Sequence, residues 1–141
     1  LTLSQKIPVA GAVVVTTPQD IATLDARKAV KMFEKVGIPI LGIVENMAVY
    51  CCPNCGHVEH IFGEGGGEKL AAQYGVELLA SLPLSMAIRS QSDAGKPTTI
   101  ADPDSQIAMI YQQMARTVGA RIAQSGQIIA QSMPKIVVSE D

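Results

Sequence analysis

The chain has 141 residues, 48% of them apolar and 17% charged, with a net charge of −2 at pH 7. That balance suits one globular domain with a sizeable core and argues against a disordered chain. No basic stripe invites a phosphate backbone, so no nucleic-acid partner is expected. No apolar run approaches the roughly 20 residues of a bilayer span, and no charged, apolar and cleavable segments follow one another in signal-peptide order, so a cytoplasmic protein with no membrane partner is expected.

Along the chain, Val9 to Thr17 is a nearly continuous β-branched run, as a buried strand requires. It leads into Thr17-Pro18-Gln19-Asp20, where Thr17 is placed to cap a helix, Pro18 suits its first position and Asp20 favours the positive end of its dipole. The predicted helix runs from Pro18 to Val36, with Ile21, Leu24, Ala29, Met32, Phe33 and Val36 as its apolar stripe, and Gly37 and Pro39 stop it. Ile38 to Val44 reads as a second strand, apolar on both faces, ending at Glu45-Asn46-Met47. A loop follows, and then Gly63-Glu64-Gly65-Gly66-Gly67 reads as a flexible joint opening a short helix through Tyr74, closed by Gly75. Val76 to Leu82 makes a third strand stopped by Pro83, and Met86 to Ala94 a short helix ended by Gly95-Lys96-Pro97. Thr98 to Ala101 reads as a crossing segment. Asp102 and Pro103 repeat the cap-and-proline start of a helix whose stripe is Ile107, Ile110, Tyr111, Met114, Val118 and Ile122, ending near Gly126. Residues 1–126 form the expected domain, and residues 127–141 are expected to be a disordered tail. Strands alternating with helices over short links predict an α/β fold on a parallel sheet.

All three cysteines and both histidines lie between residues 50 and 60, in Tyr50-Cys51-Cys52-Pro53-Asn54-Cys55-Gly56-His57-Val58-Glu59-His60. An odd number of cysteines in one short loop is no secreted disulfide framework. Cys52-Pro53-Asn54-Cys55 brings two thiolates to one ion, and Pro53 and Gly56 tighten the turn so that backbone N–H groups reach the sulfurs. A four-coordinate site needs two more ligands. Cys51 points its side chain away from its neighbour, and His57 sits too close behind Cys55 for easy joint ligation, so the loop closes a site alone only awkwardly. Two copies of the chain, each giving Cys52 and Cys55, supply the four thiolates that a zinc ion or a cubane iron–sulfur cluster takes. A surface knuckle without metal is the alternative at this level. A redox role is disfavoured, because the pair does not open a helix.

The glycine-rich Gly63–Leu70 stretch departs from a phosphate loop. Glu68 stands where phosphate would approach, Leu70 replaces the hydroxyl that holds Mg²⁺, and a loop precedes it where a strand should. Asp25, one turn after Ile21, reads as a solvated helix position. Asn46 sits at the carboxyl end of a buried strand, where open α/β sheets bind ligands.

Taken in order, Thr16-Thr17-Pro18-Gln19-Asp20, Leu41-Gly42-Ile43-Val44-Glu45-Asn46-Met47, the Cys52–His57 knuckle, Ile61-Phe62-Gly63 and Leu82-Pro83-Leu84 resemble the Mrp/ApbC family of iron–sulfur cluster carriers. These are MinD- and ParA-like deviant P-loop ATPases, and the resemblance spans Leu1 to about Ala123. It implies a P-loop NTPase-like sheet with helices on both faces, and a cytoplasmic homodimer that holds a [4Fe–4S] cluster between subunits and delivers it, in an ATP-dependent cycle, to apo iron–sulfur proteins. Cys52 and Cys55 match the cluster ligands, with zinc as the competing occupant. Asn46, Pro83 and Leu84 match the adenine surroundings, and Asp25 matches a helix aspartate that couples nucleotide state to the dimer interface. The family's deviant Walker A loop has no counterpart here, and Leu1 to Gln5 resemble the residues that follow its second aspartate motif. The chain therefore reads as the C-terminal half of the ATPase domain, and alone is not expected to hydrolyse ATP with Mg²⁺. A zinc-knuckle interaction module and a MinD-like positioning ATPase are the alternatives.

Overall fold

A computed structural model describes residues 6–132, with side-chain surroundings as far as 125. Three parallel strands form the sheet: β1 (Ala12–Thr16), β2 (Ile40–Glu45) and β5 (Leu78–Ser81), in the order β1-β2-β5. Between β2 and β5 lies a two-stranded antiparallel hairpin, β3 (Tyr50–Cys51) and β4 (Val58–Glu59). The helices are α1 (Asp20–Lys35), α2 (Gly66–Tyr74), α3 (Met86–Asp93), the one-turn α4 (Thr98–Ala101) and α5 (Gln106–Ser132).

One face of the sheet packs on α1 and α2, which also touch each other, while α5 packs against β2 and β5. The first layer encloses the core: Val14 and Ile43 from the strands, Ala26 and Val30 from α1, and Leu70 and Ala71 from α2, ringed by Phe33, Ile40, Tyr74, Val76 and Leu78. Ile43, Leu70 and Val30 are fully buried, each burial contributing about 1.5–3 kcal/mol. The β2 backbone approaches β5 so closely that a Cβ on Gly42 would lie 2.5 Å from Leu79 Cγ. On α5 the Arg121 guanidinium donates to the Leu41 carbonyl and to the Glu77 carboxylate, pinning that helix to the sheet.

Several expected boundaries move. The first strand starts at Ala12, and α1 starts at Asp20 behind Gln19, which makes no side-chain cap. Thr17 instead donates its hydroxyl to Gln19 Oε1 at 2.8 Å. The buried residues of α1 are Thr23, Ala26 and Val30, whereas Ile21 and Leu24 are 75% and 51% exposed. Of the expected stripe Phe33 packs against the core, while the first turns bury the small residues that admit the sheet in place of Ile21 and Leu24. Thr98 to Ala101 is helical, and Ser105 rather than Asp102 caps α5, its hydroxyl accepting from Ala108 N at 3.2 Å. The last helix runs past Gly126 to Ser132, and of the expected tail 133–141 lie outside the described residues. No described helix is long and apolar enough to cross a membrane.

Because the strands are parallel, their carboxyl ends meet at one edge, and the segments 17–19, 46–49 and 82–85 leave from it together.

Candidate functional site

The ladder between β2 and β5 continues past both strands. Leu82 N donates to Glu45 O at 2.8 Å, Ala48 N to Leu82 O at 2.9 Å and Leu84 N to Val49 O at 2.8 Å. A parallel bridge between Tyr50 and Leu84 extends it to the base of the cysteine hairpin. Pro83 and Leu84 therefore run alongside the segment that carries Cys51 and Cys52. The expected loop carrying the tight cysteine turn at 51–60 is this hairpin, with Tyr50 opposite Glu59 and Cys51 opposite Val58.

Its tip is a tight turn. Cys52 N donates to His57 O and Gly56 N to Cys52 O, both at 2.9 Å, and Gly56 takes a left-handed φ of +72° that a side chain would resist. Cys52 and Cys55 occupy this turn, with Cys55 exposed and Cys52 half-buried. Backbone N–H groups of Asn54 and Cys55, together with the Cys55 thiol, hold the Cys52 thiol below its ordinary pKa, against a small opposing effect of burial. Donors aimed at a sulfur stabilise its thiolate, the form that binds metal.

Two of the other candidate ligands make contacts of their own. Cys51 Sγ lies 3.7 Å from Gly56 O, and His60 Nδ1 is 3.0 Å from Ala48 O, tying the returning leg of the hairpin to the outgoing one. Among the described residues no three His, Cys, Asp or Glu side chains converge as a metal site. Cys52 and Cys55 thus stand as a pair of sulfurs in one turn at the hairpin tip.

The expected nucleotide residues fall into two places. Pro83 and Leu84 line a cavity of about 540 Å³ with Tyr50, Cys51, Pro53 and Ile107. Asn46 lines a separate, shallower cavity of about 530 Å³ with Thr16, Thr17 and Asp25. Asn46 Oδ1 accepts from Met47 N at 3.0 Å, which leaves its amide NH₂ as the donating group, and Met47 takes a strained left-handed φ of +56° to make that turn. Asp25 pairs with Lys28 at 3.0 Å on the open face of α1, where both side chains are about seven-tenths exposed.

Sequence reasoning passed over Glu45. It is 5% exposed, and its Oε2 accepts from Gly67 N, the second residue of α2, at 2.5 Å. The glycine-rich stretch is accordingly no loose joint: a Cβ on Gly67 would lie 2.8 Å from Glu45 Cβ, and one on Gly66 2.3 Å from Pro18 O. The signal was present as a lone carboxylate ending an apolar strand, followed by consecutive glycines.

The family described as ParA, NUBPL iron-transfer P-loop NTPase, matches residues 1–119. An iron–sulfur cluster carrier protein of Pseudomonas fragi is 73% identical over 119 residues, covering 84% of this chain and 42% of that protein. The carrier of the same name from Escherichia coli K12 is 56% identical, over 92% of this chain and 35% of its own. The mouse iron–sulfur cluster transfer protein NUBPL is 46% identical, over 89% and 39%. The chain thus spans about two fifths of the length of these relatives. Among solved structures, the Pyrococcus furiosus cell-division ATPase MinD superposes with a TM-score of 0.61 at 26% identity, over 79% of this chain and 43% of that one. A nucleotide-binding protein of Archaeoglobus fulgidus, in complex with ADP and with cobalt found in it, gives a TM-score of 0.56 at 37% identity, over 68% and 38%. With its parallel sheet and matched profile, the chain belongs to the ParA/NUBPL family of iron-transfer P-loop NTPases.

Proposed function

We propose that this chain carries an iron–sulfur cluster and hands it to apo iron–sulfur proteins, the cargo being a [4Fe–4S] cluster held between two copies by Cys52 and Cys55 of each. The observation that carries this reading is the hairpin tip, which brings Cys52 and Cys55 into one turn and favours the thiolate form of Cys52, while His60 is engaged by Ala48. A cubane takes four thiolates, and two half-sites related by a two-fold axis supply them. The names of the Pseudomonas fragi and Escherichia coli relatives support the cargo.

Exposure of the tip suits delivery. A recipient thiolate replaces one carrier thiolate at a time on the intact cluster, and each released sulfur takes up a proton. No electron changes hands. Asn46, Pro83 and Leu84, which leave the same sheet edge from neighbouring strands although they line two cavities, are assigned to the adenine surroundings of a bound ATP, and Asp25, at the rim of the Asn46 cavity, to coupling between nucleotide state and the dimer contact; the ADP in the Archaeoglobus fulgidus protein supports a nucleotide in this fold. Free thiols in such a turn suit the reducing cytoplasm.

Anaerobic incubation with ferrous iron and sulfide is expected to give a brown dimer with about four irons per two chains. Cys52→Ser and Cys55→Ser each abolish the visible absorbance. A chromophore that survives either change, or stoichiometric zinc in a monomer that iron does not displace, defeats the reading.

A further inference from the structure

Glu45 is a buried carboxylate that the cluster chemistry does not use. It closes β2, adjoins Asn46, and spans 22 positions to accept the amide of Gly67. That amide belongs to the first turn of α2, whose N–H groups have no partner within the helix, and the helix dipole favours a negative charge there. Gly66 and Gly67 permit the approach, since a Cβ on either would strike Pro18 or Glu45.

Gly67 lies at the end of the hairpin's returning leg, Glu59 to Gly65. Two side-chain hydrogen bonds tie the ends of that leg, one to the outgoing leg and one to β2. His60 reaches Ala48 at its start, and Glu45 takes Gly67 at its finish. Between them the chain turns through Gly63 and Gly65, both with left-handed φ, and one internal bond from Gly63 N to His60 O at 3.1 Å. Leu70 and Ala71 seat the body of α2 in the core, and the carboxylate fixes its first turn, where the returning leg joins it.

We propose that Glu45 is a positioning residue for the cysteine hairpin, acting by reach: its side chain fixes the start of α2 and thereby the angle at which Cys52 and Cys55 stand off the sheet edge. The meaning of that angle for cargo rests on the cluster-carrying function proposed above; the mechanical claim does not.

The test follows amide hydrogen exchange in the protein without cluster, for Glu45→Gln, Glu45→Asp and Gly67→Ala. Gln keeps the length and the accepting oxygen but not the charge, whereas Asp keeps the charge and falls one methylene short. In Glu45→Asp and Gly67→Ala, the amides of Gly67, Cys52 and Gly56 are expected to exchange about tenfold faster, with that of Ile43, bonded to Glu77 O within the sheet, unchanged. Glu45→Gln stays within about threefold of the parent. Faster exchange at Gly67 with Cys52 and Gly56 unmoved makes Glu45 a helix cap only and overturns the proposal. So does acceleration at Ile43 equal to that in the hairpin, or a Gln variant as loose as Asp. Chelator-driven loss of a reconstituted cluster should follow the same order. If the parent takes up no cluster, the carrier function falls while the exchange data still decide the role of Glu45.

Discussion

His60 Nδ1 stands 3.0 Å from the carbonyl of Ala48, twelve residues earlier in the chain. The carbonyl can only accept, so the ring donates, and that fixes the tautomer with the proton on Nδ1. Nε2 then faces Glu64, 3.9 Å away. The contact closes the base of the hairpin at a point where β3 and β4 pair over only two residues each. His60→Ala is expected to cost about 1 kcal/mol, the net value of one such hydrogen bond. Urea unfolding measures it, and an unchanged midpoint would make the contact incidental.

The Cys52 thiol is held below its ordinary pKa by the N–H groups of Asn54 and Cys55 and by the Cys55 thiol. A lowered pKa means that the thiolate persists as pH falls, so alkylation of Cys52 by iodoacetamide should continue at a pH where an ordinary cysteine, of pKa about 8.5, has slowed. Asn54→Pro removes one of the donors and is expected to move the inflection upward. Mass-spectrometric mapping of the labelled cysteine across pH reads both. An inflection for Cys52 that coincides with that of an unfolded control refutes the assignment.

The parallel sheet, the order of its elements and the cysteine pair were legible in the sequence because each is written in local terms. β-branched runs mark β1 and β2, an apolar run between Gly75 and Pro83 marks β5, and Cys52 and Cys55 sit three apart around a proline. What was not legible depends on contacts between distant residues. The Glu45–Gly67 bond joins positions 22 apart, and the Arg121–Leu41 bond positions 80 apart. The buried face of α1 was misread for a related reason: Thr23, Ala26 and Val30 face the sheet, and small side chains give a weak periodic signal against an exposed Ile21 and Leu24.

Two glycines of the same helix should respond to alanine for different reasons. A Cβ on Gly66 meets the Pro18 carbonyl at 2.3 Å, backbone that cannot rotate aside, so Gly66→Ala is expected to cost about 1–3 kcal/mol by overpacking. Gly75 has nothing within 4 Å of its Cβ position but holds a φ of +62°, so Gly75→Ala costs about 1 kcal/mol of conformational strain. Gly75→Asn, which tolerates the left-handed region, should recover part of that loss. Gly66→Asn should recover nothing. Chemical denaturation of the four variants distinguishes crowding from backbone preference, and equal rescue at both positions would contradict the distinction.

Arg121 divides its guanidinium between the Leu41 carbonyl and the Glu77 carboxylate, and the two contacts carry different weights. Glu77 is 58% exposed at its side chain, so its ion pair is screened and contributes about 0–1 kcal/mol. The bond to Leu41 caps a carbonyl of a buried strand residue at the bulge in β2 opposite Ala12 and Val13, where loss of a donor strands an acceptor at a cost of about 1–3 kcal/mol. Glu77→Gln is therefore expected to be nearly neutral and Arg121→Ala clearly destabilising. Arg121→Lys should fall between them, since an ammonium group cannot hold both partners in the planar fork. Raising salt should narrow the gap between the parent and Glu77→Gln but not that between the parent and Arg121→Ala. A Glu77→Gln variant as unstable as Arg121→Ala would mean that the ion pair, rather than the strand carbonyl, anchors α5 to the sheet.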